Sequence, residues 1–199
     1  IVAYLFFASG VNGFTKLPTI TPNTADLGNW QSLDGQKVSL NGKVTILGFM
    51  GTELLKNRGN LFNLNQKIYQ RYHEFKDVQF VMIFPTWIEK DAKKVVDALG
   101  AFTDVAQWRF VFASTEEIST YYDQLKLVEK LDENSGTPKV YIIDKKRNLR
   151  GRKLVKNTKE GYNTFHPAEL SNEMLDDFKV ILYEYRAALK KNNNATRKI

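Results

Sequence analysis

The stretch TILGFMGTELLKNRGNLFNLNQKIYQRY, residues 45–72, decides the fold. An apolar run ending at Met50 meets a Gly51-Thr52-Glu53 turn and passes directly into a helical pattern. From about Leu54 to Phe75 that pattern carries Leu61, Leu64, Ile68, Tyr72 and Phe75 at spacings of three and four, one apolar helix face. The near-continuous apolar run over residues 43–50 suits a central strand covered on both sides. Proteins present phosphate cradles and redox thiols at junctions of this kind. Here the turn holds Gly51, Thr52, Glu53, Leu54 and Leu55, none of them an evident reagent. Glu53 suits the positive end of the helix dipole, and Thr52 stands where it can cap the same end.

Outward from this junction, strands and helices alternate. WQSLDGQKVSL reads as a small hairpin, Trp30 to Leu33 and Val38 to Leu40 about an Asp34-Gly35 turn, with a second turn at Asn41-Gly42. VQFVMIFP and WRFVFA are buried-type strands. Thr86-x-x-Glu89 and Ser114-x-x-Glu117 have capping-box spacing and open helices, the first through KDAKKVVDALGAF, the second toward Tyr122 or Leu125. PKVYIID and NLRGRKL are two strands joined at residues 145–147. A last helix starts near Pro167, buries Leu170, Met174, Phe178, Ile181, Leu182, Tyr185 and Leu189, then frays into KKNNNATRKI. The order β-hairpin, β, α, β, α, β, α, β, β, α describes one α/β domain with right-handed crossovers.

Composition narrows the chemistry. The 199 residues include no cysteine, which excludes disulfides, thiolate metal sites and dithiol redox chemistry. A net charge of +7 favours anionic surfaces without establishing nucleic-acid binding. The start, IVAYLFFASG, is too short to cross a bilayer, which takes about 20 apolar residues. It reads as the remnant of a membrane anchor or export signal, or alternatively as an apolar first strand. The polar, Pro- and Gly-punctuated residues that follow read as a tether. The expected division is an anchor remnant and tether over residues 1–29, a domain over 30–191 and a disordered tail over 192–199.

Two segments resemble a known family. SGTPKVYIIDKKRNLRG looks like the part of thioredoxin-like proteins where a Thr-Pro pair precedes a strand ending in Ile-Asp. LDGQKVSLNGKVTILGFM is similar to the lead-in of the Sco/SenC branch, and the pattern covers about residues 30–152. The resemblance implies a three-layer α/β/α fold with a central mixed sheet and an N-terminal β-hairpin, and a cis peptide before Pro138. Sco proteins belong to the bacterial envelope or the mitochondrial inner membrane and help deliver copper to cytochrome c oxidase. They do so with a Cys-x-x-x-Cys pair and a distant histidine. The same superposition puts Glu53 and Asn57 at the two cysteine positions and Gly136 at the histidine position, with Thr137 and Pro138 beside it. All three ligands have departed. Cu(I) prefers sulfur or imidazole, so a carboxylate and an amide do not replace them.

Other chemistries find little support. GTELLKNRGN lacks phosphate-loop spacing, and no serine stands in a nucleophile elbow. His73 falls near a helix end; His166, with Glu169 and Glu173 nearby, has the makings of a metal site but also of an ordinary helix start. Met50, Met82 and Met174 fall on apolar strand or helix faces. The densest charge cluster, KKRNLRGRK, supplies Lys145, Lys146, Arg147, Arg150, Arg152 and Lys153 as contacts for an anionic surface, or as solvated edge-strand cations. The expectation is a membrane-anchored envelope protein on the periplasmic side, without thiol redox, metal or cofactor chemistry. It would act through an unidentified protein partner and membrane-surface contact, and not on nucleic acid. Two other readings stand beside it: an enzyme or carrier using Glu53 and Asn57, and copper delivery through His or Met ligands elsewhere.

Overall fold

The computed structural model describes residues 16–196, with residues 187 and 189–196 described by backbone alone. The apolar start, residues 1–15, and residues 197–199 lie outside the described residues, as does the side chain of Leu189.

Short β1 (Thr19–Thr21) is followed by β2 (Val44–Met50), β3 (Val78–Pro85), β4 (Trp108–Ala113), β5 (Gly136–Ile143) and β6 (Leu149–Arg150). They lie in the order β1-β6-β5-β2-β3-β4. β2, β3 and β4 are parallel, while β5 runs antiparallel to β2. β7 (Arg152–Lys153) and β8 (Thr158–Lys159) form a separate hairpin, and β9 (Tyr162–Asn163) adds to the free side of β5. The apolar runs predict β2 to β5 well because β2 and β3 are buried on both faces, as are most of β4 and the second half of β5. The sequence reading of NLRGRKL as one strand needs correction, since the chain breaks at Gly151. A Cβ there would collide with Ile20 Cδ1 and the Lys159 carbonyl. The strand crosses too close to β1 to continue.

Period-two alternation divides the core. Ile46, Phe80, Met82, Phe110 and Ile142 face one side, under α1 (residues 54–72), α2 (Glu89–Gly100) and α4 (residues 167–196). Leu47, Phe49, Val81, Ile83, Val111 and Tyr141 face the other, under α3 (Thr115–Gln124) and the segment carrying Leu27, Val38 and Leu40. The result is three layers, helix, mixed sheet and helix. Helices α1 and α4 each contain one π-helical stretch, Asn65–Tyr69 and Leu170–Met174, and the two stretches pack together. Phe75, expected on the buried face of α1, lies past its end and is 36% exposed.

Several local expectations are corrected. Only Ser114-x-x-Glu117 forms its capping box, the Ser114 amide donating to Glu117 Oε2 at 2.8 Å. At Thr86 the chain makes a 3₁₀ turn, Thr86–Ile88, that pushes the helix start to Glu89 and leaves Thr86 no cap to make. The N-terminal hairpin is reduced to single bridges, Gln31 with Lys37 and Ser32 with Val111 on the β4 edge. No cis peptide occurs among the described residues, and Pro138 sits inside β5, where a trans bond keeps the strand extended. Helix α4 continues to Thr196, through the start of the expected tail.

The largest correction concerns the tether. Residues 17–27 are part of the domain: β1 pairs with β6, Leu17 and Leu27 are buried, and the Thr24 amide donates to the Arg147 carbonyl at 2.7 Å. The Asp26 carboxylate accepts from the Leu27 and Leu40 amides at 2.9 and 2.8 Å and from the Ser39 hydroxyl. Burial alone would raise this carboxyl, but those donors outweigh it and hold its pKa below the ordinary value.

Arg150 closes the arrangement. Its Nε and Nη2 donate to the Leu17 carbonyl at 3.2 and 2.6 Å, and Nη1 to Asp144 at 3.0 Å. Nη1 and Nη2 together grip Glu184 of α4 at 3.1 and 3.0 Å. Expected from sequence at an anionic surface, Arg150 is instead buried, because its charge is consumed by two carboxylates.

Arg150→Ala is expected to cost about 3–5 kcal/mol of unfolding free energy, read as a lowered urea midpoint, because it leaves buried charge unpaired. Asp26→Ala should cost about 1 kcal/mol at neutral pH, its carboxylate being partly exposed. A depressed folded pKa means the contribution is present above the unfolded pKa and lost as pH falls through the folded one. The gap between variant and parent should therefore close in acid.

Candidate functional site

The junction between β2 and α1 is held shut from across the sheet. Gly51 has φ +66°, and a Cβ there would meet the Asn134 carbonyl at 2.8 Å and the Gly136 Cα at 3.1 Å. Only glycine satisfies both the left-handed backbone and the close approach. The Thr52 amide donates to the Asn134 carbonyl, and its hydroxyl to Asn134 Oδ1, each at 3.2 Å. The opposing loop is itself ordered by Asp132, whose carboxylate accepts from the Asn134 and Gly136 amides at 2.9 and 2.8 Å. Thr52 is thus turned toward the loop and does not cap the helix, which starts without a side-chain cap.

Beside this closure lies a cavity of about 70 Å³, walled among others by Met50, Asn57, Asn60, Gly136, Pro138 and Phe165. Its far rim is fixed by Thr164, whose amide and hydroxyl both donate to the Pro138 carbonyl, at 2.9 and 2.7 Å. The space holds a few waters at most and no drug-sized substrate. The structure therefore places Asn57, Gly136, Thr137 and Pro138 on the cavity wall, with Thr52 beside it on Asn134.

Glu53 is the exception. Its side chain is 43% exposed and forms an ion pair with Lys56 at 3.0 Å, outside the cavity wall. Glu53 and Asn57, expected to share one face, do not converge. Asn60, Asp132 and Phe165 were not legible as site residues, since Asp132 and Phe165 arrive from loops with no periodic signal. A trace existed in Asp132-x-x-x-Gly136, a spacing that suits a side-chain-capped turn.

The other expected donors are scattered. His73 Nδ1 lies 3.1 Å from the Gln70 carbonyl, and His166 is 64% exposed with Nδ1 3.6 Å from Glu169. Glu169 and Glu173 are both held by Lys159 at 2.7 Å, so they do not wait for a metal beside His166. No group of three or more His, Cys, Asp or Glu side chains is arranged to hold a metal among the described residues. Met82 and Met174 are fully buried, and Met50 borders the cavity.

Of the six cations expected at an anionic surface, Lys145 pairs with Asp77 at 2.6 Å and Arg152 with Asp177 at 3.1 Å. Arg147 is half-buried and donates to Asn23 at 3.2 Å. Lys146 and Lys153 are exposed and carry no ion pair among the described residues.

Gly51→Ala is expected to cost at least about 2 kcal/mol in urea unfolding, because the new methyl meets backbone on the facing loop and the residue keeps a positive φ.

No protein-family model matches the sequence, and no curated sequence does either. Solved structures do. The SCO1/SenC family lipoprotein of Bacillus anthracis superposes with TM-score 0.58 at 19% identity, over 84% of this chain and 99% of that one. BsSco, described as a member of the Sco family of cytochrome c oxidase assembly proteins, gives 0.54 at 19% identity, over 82% and 92%. Arabidopsis thaliana ScoI with copper bound gives 0.52 at 17% identity, over 79% and 98%. With its mixed sheet, helices on both faces and the closed β2–α1 junction, the chain has the thioredoxin-like fold that these Sco-type structures share.

Proposed function

We propose that this chain is a Sco-like thioredoxin-fold protein of the cell envelope that works by binding, as an interaction or assembly factor, without catalysis. One observation carries the reading. The junction where thiol proteins of this fold hold their reagent is kept as architecture, closed by Gly51 against Gly136, while its side chains are amide, hydroxyl, apolar and the one carboxylate of Asp132. Cu(I) as cargo asks for thiolate, thioether or imidazole donors. The residues present, Asn57, Asn60 and Asp132 around one thioether at Met50, do not fit it. An envelope setting is supported by the lipoprotein among the solved structures and by the apolar start of the chain. No helix among the described residues is long and apolar enough to cross a membrane. The partner would be a protein under assembly, as the name of BsSco describes for its own family.

An enzyme built on Glu53 and Asn57 draws no support from the geometry. A general base must reach its substrate, and Glu53 faces solvent beside Lys56.

The purified chain is expected to reduce no insulin disulfides and to lose all Cu(I) to a chromogenic chelator. Stoichiometric copper retained against the chelator, or turnover of insulin, would overturn the proposal. A photocrosslinker replacing Phe165, half-exposed at the cavity rim, should capture a discrete membrane polypeptide; no adduct beyond that at an exposed α2 position argues against an assembly role.

A further inference from the structure

The β7–β8 hairpin is built with two kinds of cation. At its base Arg152 and Lys159, partners in register, turn inward and are held by α4: Arg152 by Asp177, Lys159 by Glu169 and Glu173. Its tip is the sequence Lys153-Leu154-Val155-Lys156, exposed throughout, with Lys153 on the strand face opposite Arg152. Both lysines are exposed and have no acidic partner among the described residues. Between them Leu154 is 42% exposed and Val155 fully so, at 103% of its reference area. The Leu154 amide donates to the Asn157 carbonyl at 2.8 Å, so the tip is a closed turn with a defined outward face. A hairpin that had only to stay soluble would not carry two aliphatic residues at its most exposed point.

The position of the chain's start names the occupant. The Gly151 amide, at the foot of the hairpin, donates to the Pro18 carbonyl at 3.0 Å, and Ile20 packs against Gly151. Residue 16, an exposed lysine, therefore enters the domain alongside this hairpin, and the apolar sequence IVAYLFFASG precedes it by only a few residues. Exposed aliphatics framed by unpaired lysines match an anionic bilayer surface: the apolar pair enters the headgroup boundary while the cations meet phosphate and carboxylate.

We infer that the Lys153–Lys156 tip is a membrane-docking finger for anionic phospholipid, seating the domain with its α4-clamped hairpin against the bilayer. This extends the envelope setting proposed above but does not depend on the absence of thiol chemistry. It also redraws the sequence-based footprint: Lys153 stays, Lys156 and Lys16 join it, and Arg150 and Arg152 leave.

The chain has no cysteine, so one introduced thiol is labelled uniquely. Full-length Val155→Cys carrying an environment-sensitive fluorophore is mixed with phosphatidylcholine vesicles, with and without phosphatidylserine. Lys93→Cys, exposed on α2, is the comparison. The expected result is a blue shift at position 155 only, only with phosphatidylserine, and weakened by salt. Combining Lys153→Gln with Lys156→Gln should lower partitioning of the labelled chain by about tenfold. Vesicle binding without a shift at 155 would overturn the finger while leaving an N-terminal anchor and the proposed function intact. An equal shift at 93, or a concentration-dependent shift without vesicles, would overturn it in favour of non-specific adsorption or self-association.

Discussion

Five hydrogen bonds from one buried guanidinium hold the edge of this molecule together. Arg150 joins the carbonyl of Leu17, the turn after β5 through Asp144, and the last helix through Glu184. Burial alone would lower the pKa of such a cation, but Glu184 and Asp144 more than restore it, so it stays charged inside the fold. Asp144 is satisfied in turn by the Lys146 and Asn148 amides. A guanidinium suits this place because its planar fork grips one carboxylate with two parallel bonds and still has donors left for a carbonyl. Without it, the Leu17 carbonyl and Glu184 would lose the partner that joins them, and Asp144 would keep only the donors of its own turn.

The β2–α1 junction, at the other end of the sheet interior, is held by its backbone. It is closed by glycine against glycine and by backbone amides donating to carbonyls and to Asp132. None of these contacts involves the side chains of Glu53 and Asn57, at the positions that the family resemblance assigns to cysteine, whereas Gly136, at the position it assigns to histidine, is itself part of the closure. The side chains of Glu53 and Asn57 therefore take no part in closing the turn. Glu53 finds Lys56 outside, and Asn57 lines a space too small for a drug-sized substrate.

How much was legible follows from which signals are local. β2 to β5 were readable because runs such as VTILGFM and VQFVMIFP are buried on both sides, and the Ser114 capping box because its partners are three residues apart. The closely similar Thr86 spacing misled, since Pro85 carries the strand to its end and a 3₁₀ turn intervenes. The tether misled for another reason. Leu17 and Leu27 are isolated apolar residues with no period, and their burial depends on β6 and Arg150, more than a hundred positions away. The cavity wall shares that difficulty: Asp132 and Phe165 reach it only through tertiary closure.

The basic cluster shows why charge density along a chain is a poor guide to charge density on a surface. Acidic residues here are spent on structure: Asp144 and Glu184 hold Arg150, Asp177 holds Arg152, and Glu169 and Glu173 hold Lys159. Each such pair removes a cation from the outside, however basic its local sequence. The net charge of +7 must then be expressed by cations that found no partner. On the hairpin those are Lys153, which strand alternation sets opposite Arg152, and Lys156 in the exposed turn. A field from such a pair is felt within a Debye length, about 8–10 Å at physiological salt. Its effect depends on what the tip itself touches, and the exposed Leu154 and Val155 make that contact apolar.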